Sequence, residues 1–554
     1  MFVNVGQRLS EQAARTPEAI AVVETLGRGP DGRFRYRQTT FRELDDDSSR
    51  IAAGLIAEGL PRGARTVLMV YPGIDFISLV FALFKAGAVA VLIDPGMGRG
   101  PLIRCLRDVQ PEAWIGVPKA HAVRAMLRWL FPQPRCLVTV GTRLFWGGTT
   151  LDRLRRTRAV AGVPVAVAPN DPAAIIFTSG GTGPPKGVLY THGNFDAQVD
   201  QIRQHYGIAP GEIDLPCFPL FGLFNCAMGV TAVIPLMDAS RPAQADPQAI
   251  IQTANDWRVM QAFASPAVWR NVGAYAAKRG ARIPSLRRVM SAGASVPIEV
   301  LEQMLACIAP EGEMFTPYGA TEALPVASIS AREVLGETAA ETRAGGGVCV
   351  GRRFPGIRWK IIRIVDGPIA TLDQAEELPQ GEIGELIVAG PVVTSRYVTR
   401  AEANAWAKIA DGNRLWHRMG DVGYLDKHDR FWICGRLVHR VETPQGTLYP
   451  EPCEAVFNAH PWVARSALVG IGQRPNQTPV IVVELNSEHS PLSLADCRRL
   501  FDELAAEASR HPHTAAIRHF LIHPKFPVDV RHNAKIARDQ LARWAAGKIR
   551  LKLR

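Results

Sequence analysis

The chain has 554 residues, of which 47% are hydrophobic and 21% are charged. This length predicts several domains, each with its own apolar core, and the scattered 49 Gly and 41 Pro residues exclude a disordered or fibrous protein. The formal net charge of +12 indicates an anionic partner, such as a nucleic acid, a membrane surface or a phosphorylated small molecule.

The positive charge is concentrated at the C-terminus, where residues 531–554 hold eight Lys or Arg and one acid, a net +7. Apolar residues alternate with these cations, so the segment is either an amphipathic anchor for a membrane or partner, or a helix end that closes the last domain. We favour the second interpretation. No helix-turn-helix, zinc-finger or RNP-like motif is found, so we expect no nucleic acid.

The nine cysteines show no CxxC spacing, and the N-terminus lacks the pattern of a signal peptide. We therefore expect a cytoplasmic protein. Residues 215–237 carry no charge and are long enough to cross a bilayer. Three prolines and two glycines interrupt them, which predicts a buried strand, loop and helix and no transmembrane segment.

In chain order, the pattern predicts a helix from Ser10 and a second helix opened by the capping box Thr40–Glu43. An apolar helix over 76–84 and a buried strand over 88–93 follow. This alternation is typical of layered α/β folds.

The pattern restarts after residue 435, with strands over 466–471, 480–485 and 520–522 and a helix from Ser493 to about Arg510. We therefore predict an α/β protein with a large multi-subdomain N-terminal domain (1–435) and a small mobile C-terminal α/β lid (436–554).

A buried strand over 173–177 leads into a loop of hydroxyl, glycine and lysine residues, which offers amides, hydroxyls and one cation to a polyphosphate. Lys186 is followed by Gly187, so the loop is not a Walker motif. The loop residues predicted to bind are Thr178, Ser179, Gly180, Gly181, Thr182, Gly183 and Lys186.

This loop resembles the phosphate-binding loop of the adenylate-forming superfamily, which includes acyl-CoA synthetases, luciferases and adenylation domains. Further motifs of that superfamily follow in order along nearly the whole chain. They contain Ser291, Gly293 and Ala294, then Tyr318, Gly319, Thr321 and Glu322, then Asp421, Arg436 and Lys535.

The resemblance implies ATP and Mg²⁺. It places Ser291, Gly293 and Ala294 at the adenine pocket, where Tyr318 stacks on the base. Thr321 would meet the α-phosphate and Glu322 would help to hold Mg²⁺. Asp421 would grip the ribose, with Arg436 near the ribose and phosphate, and Lys535 would enter the site during adenylation. Thr178, Lys186, Glu322 and Lys535 are the candidate catalytic residues.

Four positions depart from the superfamily pattern. Gly181 replaces a usual Ser or Thr, Gly222 a frequent gating His, Val438 the usual Asp or Lys of the hinge, and Gln445 the glycine that lets pantetheine pass. Because these changes cluster where CoA would enter, we do not expect CoA as a cosubstrate.

Within the superfamily the chain is most similar to the β-lactone synthetases of long-chain olefin biosynthesis. The segments 317–326, 417–424, 440–443 with Leu448-Tyr449, and 526–536 carry this similarity, together with 241–247 and the stretch Phe145-Trp146-Gly-Gly-Thr-Thr150. It implies adenylation of a long-chain 2-alkyl-3-hydroxy acid, closure of a β-lactone, and association with a β-lactone decarboxylase and a reductase. A long-chain acyl-CoA synthetase or fatty acyl-AMP ligase is the alternative.

An apolar segment could line a pocket for the alkyl chains, although for most of its residues core packing is the favoured interpretation. His192 lies close to the loop in sequence, where it is a candidate base, but a structural role is at least as well supported. The apolar residues are Phe218, Phe221, Leu223, Phe224, Met228 and Val233.

Overall fold

The computed structural model describes residues 4–158, 162–178, 183–528 and 536–552. Its helices are α1 Gln7–Arg15, α2 Phe41–Ala57, α3 Ile74–Lys85, α4 Arg99–Val109, α5 Pro118–Met126, α6 Leu151–Leu154, α7 His192–Tyr206, α8 Phe221–Met228, α9 Pro247–Asp256, α10 Pro266–Arg279, α11 Ile298–Cys307, α12 Ala331–Glu333, α13 Ala339–Arg343, α14 Ala403–Ala407, α15 Pro450–Asn458, α16 Leu494–Arg510 and α17 Arg538–Lys552.

The strands are β1 Ile20–Arg28, β2 Phe34–Thr40, β3 Arg65–Met69, β4 Val89–Leu92, β5 Ala113–Gly116, β6 Cys136–Thr139, β7 Thr149–Thr150, β8 Pro172–Phe177, β9 Gly187–Thr191, β10 Ile213–Pro216, β11 Thr231–Ile234, β12 Gln261–Ala264, β13 Arg288–Ser291, β14 Glu313–Ala320, β15 Ala323–Ser330, β16 Val348–Arg353, β17 Arg358–Ile362, β18 Gly384–Ala389, β19 Lys408–Asp411, β20 Arg414–Leu425, β21 Arg430–Arg436, β22 Val441–Thr443, β23 Gly446–Leu448, β24 Val463–Ile471, β25 Thr478–Leu485 and β26 His519–Ile522.

The predicted elements are present. Thr40 caps α2 by accepting from the Glu43 amide while the Glu43 carboxylate accepts from the Thr40 amide, which satisfies two free N–H groups. The uncharged stretch 215–237 folds as the end of β10, then α8 and β11. Among the described residues, no helix is both long and apolar enough to cross a membrane.

Two sheets and the helices between them form the N-terminal part. The first sheet has the order β7-β6-β5-β3-β4-β8-β9, and the second runs β17-β18-β20-β21-β16-β15-β14-β13-β12-β10-β11-β1-β2, with β19 paired to β20. Apolar residues of α2, α3, α7 and α8 share one core with side chains from both sheets. This layering buries the apolar side of each sheet and agrees with the predicted α/β class.

The C-terminal part has its own sheet, β24-β25-β26, after the hairpin β22-β23. Leu500 and Leu504 of α16 pack on one face of this sheet, and the fully buried Leu541 and Ala545 of α17 pack on the other. The tail helix α17 therefore uses its apolar side inside the protein, as in the favoured interpretation. The predicted boundary at 435/436 falls at the end of β21 and stays a prediction, as does the mobility of the lid.

Gly351 provides a test of how closely β15 and β16 pack. It has φ +79°, and a Cβ placed on it would lie 2.0 Å from the backbone O of Ser328. We expect Gly351→Ala to lower the free energy of unfolding by about 3 kcal/mol, because both the backbone and the neighbouring strand would be strained. Urea unfolding followed by tryptophan fluorescence measures the change.

The control is Gly336→Ala, since a Cβ at Gly336 meets no atom within 4 Å outside its own helix turn. Its unfolding free energy should stay within about 1 kcal/mol of the wild type. Equal stability of the two variants would contradict this account of Gly351.

Candidate functional site

The predicted site residues that the structure describes line one cavity. A continuous cleft of about 1930 Å³ runs between the ends of the large sheet's strands and the C-terminal part, and it continues into the core between the sheets. The predicted site residues that line it are Thr178, Gly183, Lys186, Ser291, Gly293, Ala294, Tyr318, Gly319, Thr321, Glu322, Asp421 and Arg436. Ser179, Gly180, Gly181, Thr182 and Lys535 lie outside the described residues.

The base of the glycine-rich loop is closed by two hydrogen bonds. The Thr178 amide donates to the Lys186 carbonyl, and the Lys186 amide donates to Thr178 Oγ1, each over 3.0 Å. The two strands that flank the loop, β8 and β9, pair antiparallel and form a hairpin. In this arrangement the Thr178 hydroxyl accepts a bond within the loop and Lys186 is fixed at the hairpin's end.

Glu322 is held by Tyr397, which the sequence analysis did not identify. Tyr397 Oη donates to Glu322 Oε1 over 2.6 Å, and Lys186 Nζ lies 4.5 Å from the centroid of the Tyr397 ring. Burial, and then the nearby Glu322, raises the pKa of the Tyr397 hydroxyl, so it remains a donor. One tyrosine therefore links the loop lysine to the buried carboxylate.

The segment that carries Tyr397 is itself pinned to Glu322. Thr394 donates to the Glu322 carbonyl through its amide and its Oγ1, both over 2.9 Å. Lys408 Nζ donates to the Thr394 carbonyl, and burial lowers the pKa of Lys408 to about 7, partly opposed by Glu322. Because Tyr397 and Lys408 lie outside every motif recognised in the sequence, no local pattern indicated them.

Asp421 anchors a second polar group in the cavity. Its Oδ2 accepts from Tyr318 Oη over 2.5 Å and its Oδ1 lies 3.2 Å from Arg436 Nη1, which also donates to the Met419 carbonyl. Burial raises the pKa of Tyr318 well above its usual value. A carboxylate has about four acceptor positions, so Asp421 can accept further bonds from ligand hydroxyls.

The turn between β14 and β15 needs glycine. A Cβ on Gly319 would lie 2.7 Å from the Ala323 carbonyl. The Thr321 carbonyl accepts from Tyr190 Oη over 2.5 Å. At the end of β13, the Oγ of Ser291 is buried without a hydrogen-bond partner among the described residues, which leaves it available to a ligand in the cavity.

An ion pair between α17 and α15 lies close in sequence to Lys535. Arg538, the first residue of α17, donates to both carboxylate oxygens of the buried Glu454 over 2.7 Å. This ion pair fixes the chain three residues after Lys535 at the cleft, because Glu454 and Arg538 both line it.

The inner arm of the cavity is apolar. Phe218, Phe221, Leu223, Phe224 and Met228 line it, as the sequence analysis allowed, whereas Val233 packs in the separate core on the far side of the large sheet. Further apolar side chains that line the arm are Phe81, Phe84, Phe195, Val199 and Ile202. The arm therefore suits a ligand with long alkyl groups.

His192 is a structural residue. Its side chain is fully buried, its Nδ1 accepts from the Val5 amide over 3.2 Å, and its ring packs edge-on against Phe84. Burial lowers its pKa to about 4. Of the positions that depart from the superfamily pattern, Val438 is exposed at the cleft and Gln445 is exposed in the turn of the β22-β23 hairpin.

Solved structures with the same fold span nearly the whole chain. An amide bond synthetase from Marinactinospora thermotolerans has a TM-score of 0.77 at 21% identity and covers 98% of this chain and 99% of its own. The O-succinylbenzoate coenzyme A synthetase of Bacillus subtilis, solved with ATP and magnesium, has a TM-score of 0.73 at 22% identity, with coverages of 96% and 98%. These enzymes share the two-part α/β architecture described above.

A family model for AMP-binding enzymes matches residues 9–398, and the chain belongs to this family. A protein of Stenotrophomonas maltophilia named olefin beta-lactone synthetase is 48% identical over 99% of this chain and 98% of its own length. A protein of the same name from Xanthomonas campestris pv. campestris is 46% identical, with coverages of 98% and 97%.

Asp214, at the inner end of the cavity, makes the stability dependent on pH. Its Oδ2 accepts from Asn225 over 2.5 Å, its Oδ1 has no partner among the described residues, and burial raises its pKa to about 7. The unfolded chain ionises Asp214 near pH 4, so folding loses stability between pH 4 and pH 7. Relative to Asp214→Asn, we expect the wild type to lose roughly 4 kcal/mol over this range.

Melting curves of both proteins across this pH range measure the difference. Asp152→Asn, at an exposed acid, serves as the control and should follow the wild type. If the stability of Asp214→Asn changes with pH as that of the wild type does, the raised pKa of Asp214 is not the cause of the pH dependence.

Proposed function

We propose that this protein is an ATP-dependent β-lactone synthetase that acts on a long-chain 2-alkyl-3-hydroxy fatty acid. The observation that carries the proposal is the 46–48% identity, over nearly the full length, with two proteins named olefin beta-lactone synthetase. The long apolar arm that opens into the polar cleft supports it, because a substrate of this class has two alkyl chains beside one carboxylate.

In the first half-reaction the substrate carboxylate attacks the α-phosphorus of ATP and pyrophosphate leaves. The loop residues 178–183 would hold the phosphates, and Thr321 would contact the α-phosphate. Asp421 and Arg436 would bind the ribose, with Tyr318 and residues 291–294 around the adenine. Lys186 and Lys535 would offset the negative charge that develops in the transition state.

Glu322 fits a magnesium ion that is shared with phosphates. Mg²⁺ in nucleotide sites takes one or two carboxylates and completes its shell with phosphate oxygens and water. Tyr397 donates to Oε1 of Glu322, and within the part of the chain that the structure describes no hydrogen bond is made to Oε2, which would remain for a cation. When bound, the ion would neutralise phosphate charge, and Tyr397 would keep the carboxylate aimed at it.

In the second half-reaction the substrate's own β-hydroxyl attacks the acyl carbonyl. The new C–O bond closes the four-membered lactone, the bond from the acyl carbon to AMP breaks, and the hydroxyl proton leaves to a base. The chain's role is to hold the hydroxyl in position and to exclude water from the adenylate. Since the nucleophile is part of the substrate, we propose that CoA is not required.

We further propose that the protein acts in the cytoplasm, in olefin biosynthesis, and in a complex with a β-lactone decarboxylase and a reductase. The cytoplasm is supported by the nine cysteines, which are unpaired and of which eight are buried. Olefin biosynthesis and the complex are supported by two similar proteins that are named olefin beta-lactone synthetase.

The test is incubation with ATP, Mg²⁺ and a 2-alkyl-3-hydroxy acid, with and without CoA, and identification of the products by NMR. We expect AMP, pyrophosphate and β-lactone in equal amounts without CoA. The matched control substrate is the same acid without the 3-hydroxyl, which should be adenylated but give no lactone. A CoA thioester as the main product would establish an acyl-CoA synthetase instead.

Tyr397→Phe removes the hydroxyl that holds Glu322 and keeps the ring beside Lys186. We expect the rate of pyrophosphate release to fall about 10- to 100-fold and the Mg²⁺ concentration for half-maximal rate to rise, because the Glu322 carboxylate loses its orientation. Tyr424→Phe is the control, since its hydroxyl donates to the Gly346 carbonyl and not to a carboxylate. An unchanged Mg²⁺ requirement in Tyr397→Phe would refute a positioning role for Tyr397.

A further inference from the structure

Helix α5 buries polar side chains and exposes apolar ones, the reverse of the usual arrangement for a surface helix. It buries His121 and Arg124, which are 1% and 9% exposed, and it exposes Val123 and Met126, which are 48% and 71% exposed. A surface helix in water normally places its apolar residues against the core. The exposed apolar side of α5 therefore indicates a surface that contacts a partner other than water.

Other large apolar side chains extend the same surface. Trp129, just after α5, is 73% exposed, and Leu144 and Phe145 are 56% and 83% exposed. The Phe145 ring packs on Trp146, which stacks on His121 of α5, so this loop lies beside the helix. We call the five exposed residues the α5 patch: Val123, Met126, Trp129, Leu144 and Phe145.

The stretch of sequence that contains the α5 patch carries charge of one sign. Between Glu112 and Asp152 the sequence contains five Lys or Arg and no Asp or Glu. Lys119 and Arg128 are exposed and form no ion pair with the described residues. The other two exposed cations make weak or backbone contacts: Arg135 lies 4.0 Å from Glu112 and Arg143 donates to the Gly148 carbonyl.

The α5 patch is remote from the candidate site. Helix α5 connects β5 to β6, next to the β7 edge of the seven-stranded sheet, whereas the glycine-rich loop joins β8 and β9 at the opposite edge. Changes in the patch can therefore be made without touching the residues that line the cleft.

We propose that the α5 patch docks the protein on the surface of an anionic lipid bilayer. Tryptophan, phenylalanine and methionine side chains insert at the boundary between headgroups and acyl chains, and nearby cations are attracted by anionic lipids. The exposed charged residues between Glu112 and Asp152 in the sequence are all cations, and an apolar patch beside such cations suits an anionic lipid surface. A long-chain substrate would also be concentrated in such a membrane.

The experiment is sedimentation of the full chain with phosphatidylcholine vesicles, with and without phosphatidylglycerol, in the absence of ATP and substrate. We expect binding to the anionic vesicles that weakens as salt is added. Trp129→Ser combined with Phe145→Ser should lower the partition coefficient about tenfold or more. Lys119→Gln and Arg128→Gln should each lower it about fivefold.

The matched control is Leu494→Ser, at a leucine that is 85% exposed in the C-terminal part. This variant should bind vesicles like the wild type. Circular dichroism and ATP-dependent turnover of a detergent-dispersed substrate should be unchanged in the patch variants, which separates docking from folding.

Three results would overturn the proposal: no binding to anionic vesicles, equal binding by the patch variants, or a dimer in analytical ultracentrifugation that the Trp129/Phe145 double variant dissociates. The last would assign the patch to a second copy of the chain. Because binding is measured without substrate, its failure would leave the proposed reaction untouched.

Discussion

The site depends on the hydrogen bonds that hold Glu322, because a carboxylate beside an apolar cavity is stable only when its position and its charge are supported. Tyr397 binds one of its side-chain oxygens, and Thr394 binds its backbone carbonyl twice. These two residues come from the segment after β18, which also runs along β9. Strand β9, the β14-β15 turn and this segment are thereby held together.

The cavity has a polar end and an apolar arm, which suit the two chemically different ends of the proposed substrate. The polar end is built from strand termini and turns, where carbonyls, amides and carboxylates converge. The apolar arm lies between α3, α7 and α8, inside the core that joins the two sheets. When the alkyl groups of a ligand fill the arm, its carboxylate is left at the polar cleft. Burial of the alkyl groups therefore both binds the ligand and orients its carboxylate.

Helix caps, apolar periodicity and turn residues predicted the elements well, because these signals are local. The Thr40 capping box, the strands of the C-terminal sheet and the interrupted apolar stretch at 215–237 all appear where the pattern placed them. The positive charge of residues 531–554 did not by itself predict the role of that segment. It led to two interpretations, and only the packing of α17 on β24 and β25 favoured one.

The sequence by itself determined the fold class, the family and the motif residues that line the cleft, since these are carried by contiguous segments of characteristic composition. Tertiary structure alone decided that Tyr397 and Lys408 stand beside Glu322, that His192 is buried away from the cleft, and that α5 turns its apolar side outward. The physical reason is that hydrogen bonds, burial and exposure depend on contacts between segments that are distant in sequence. Neither residue spacing nor composition specifies those contacts.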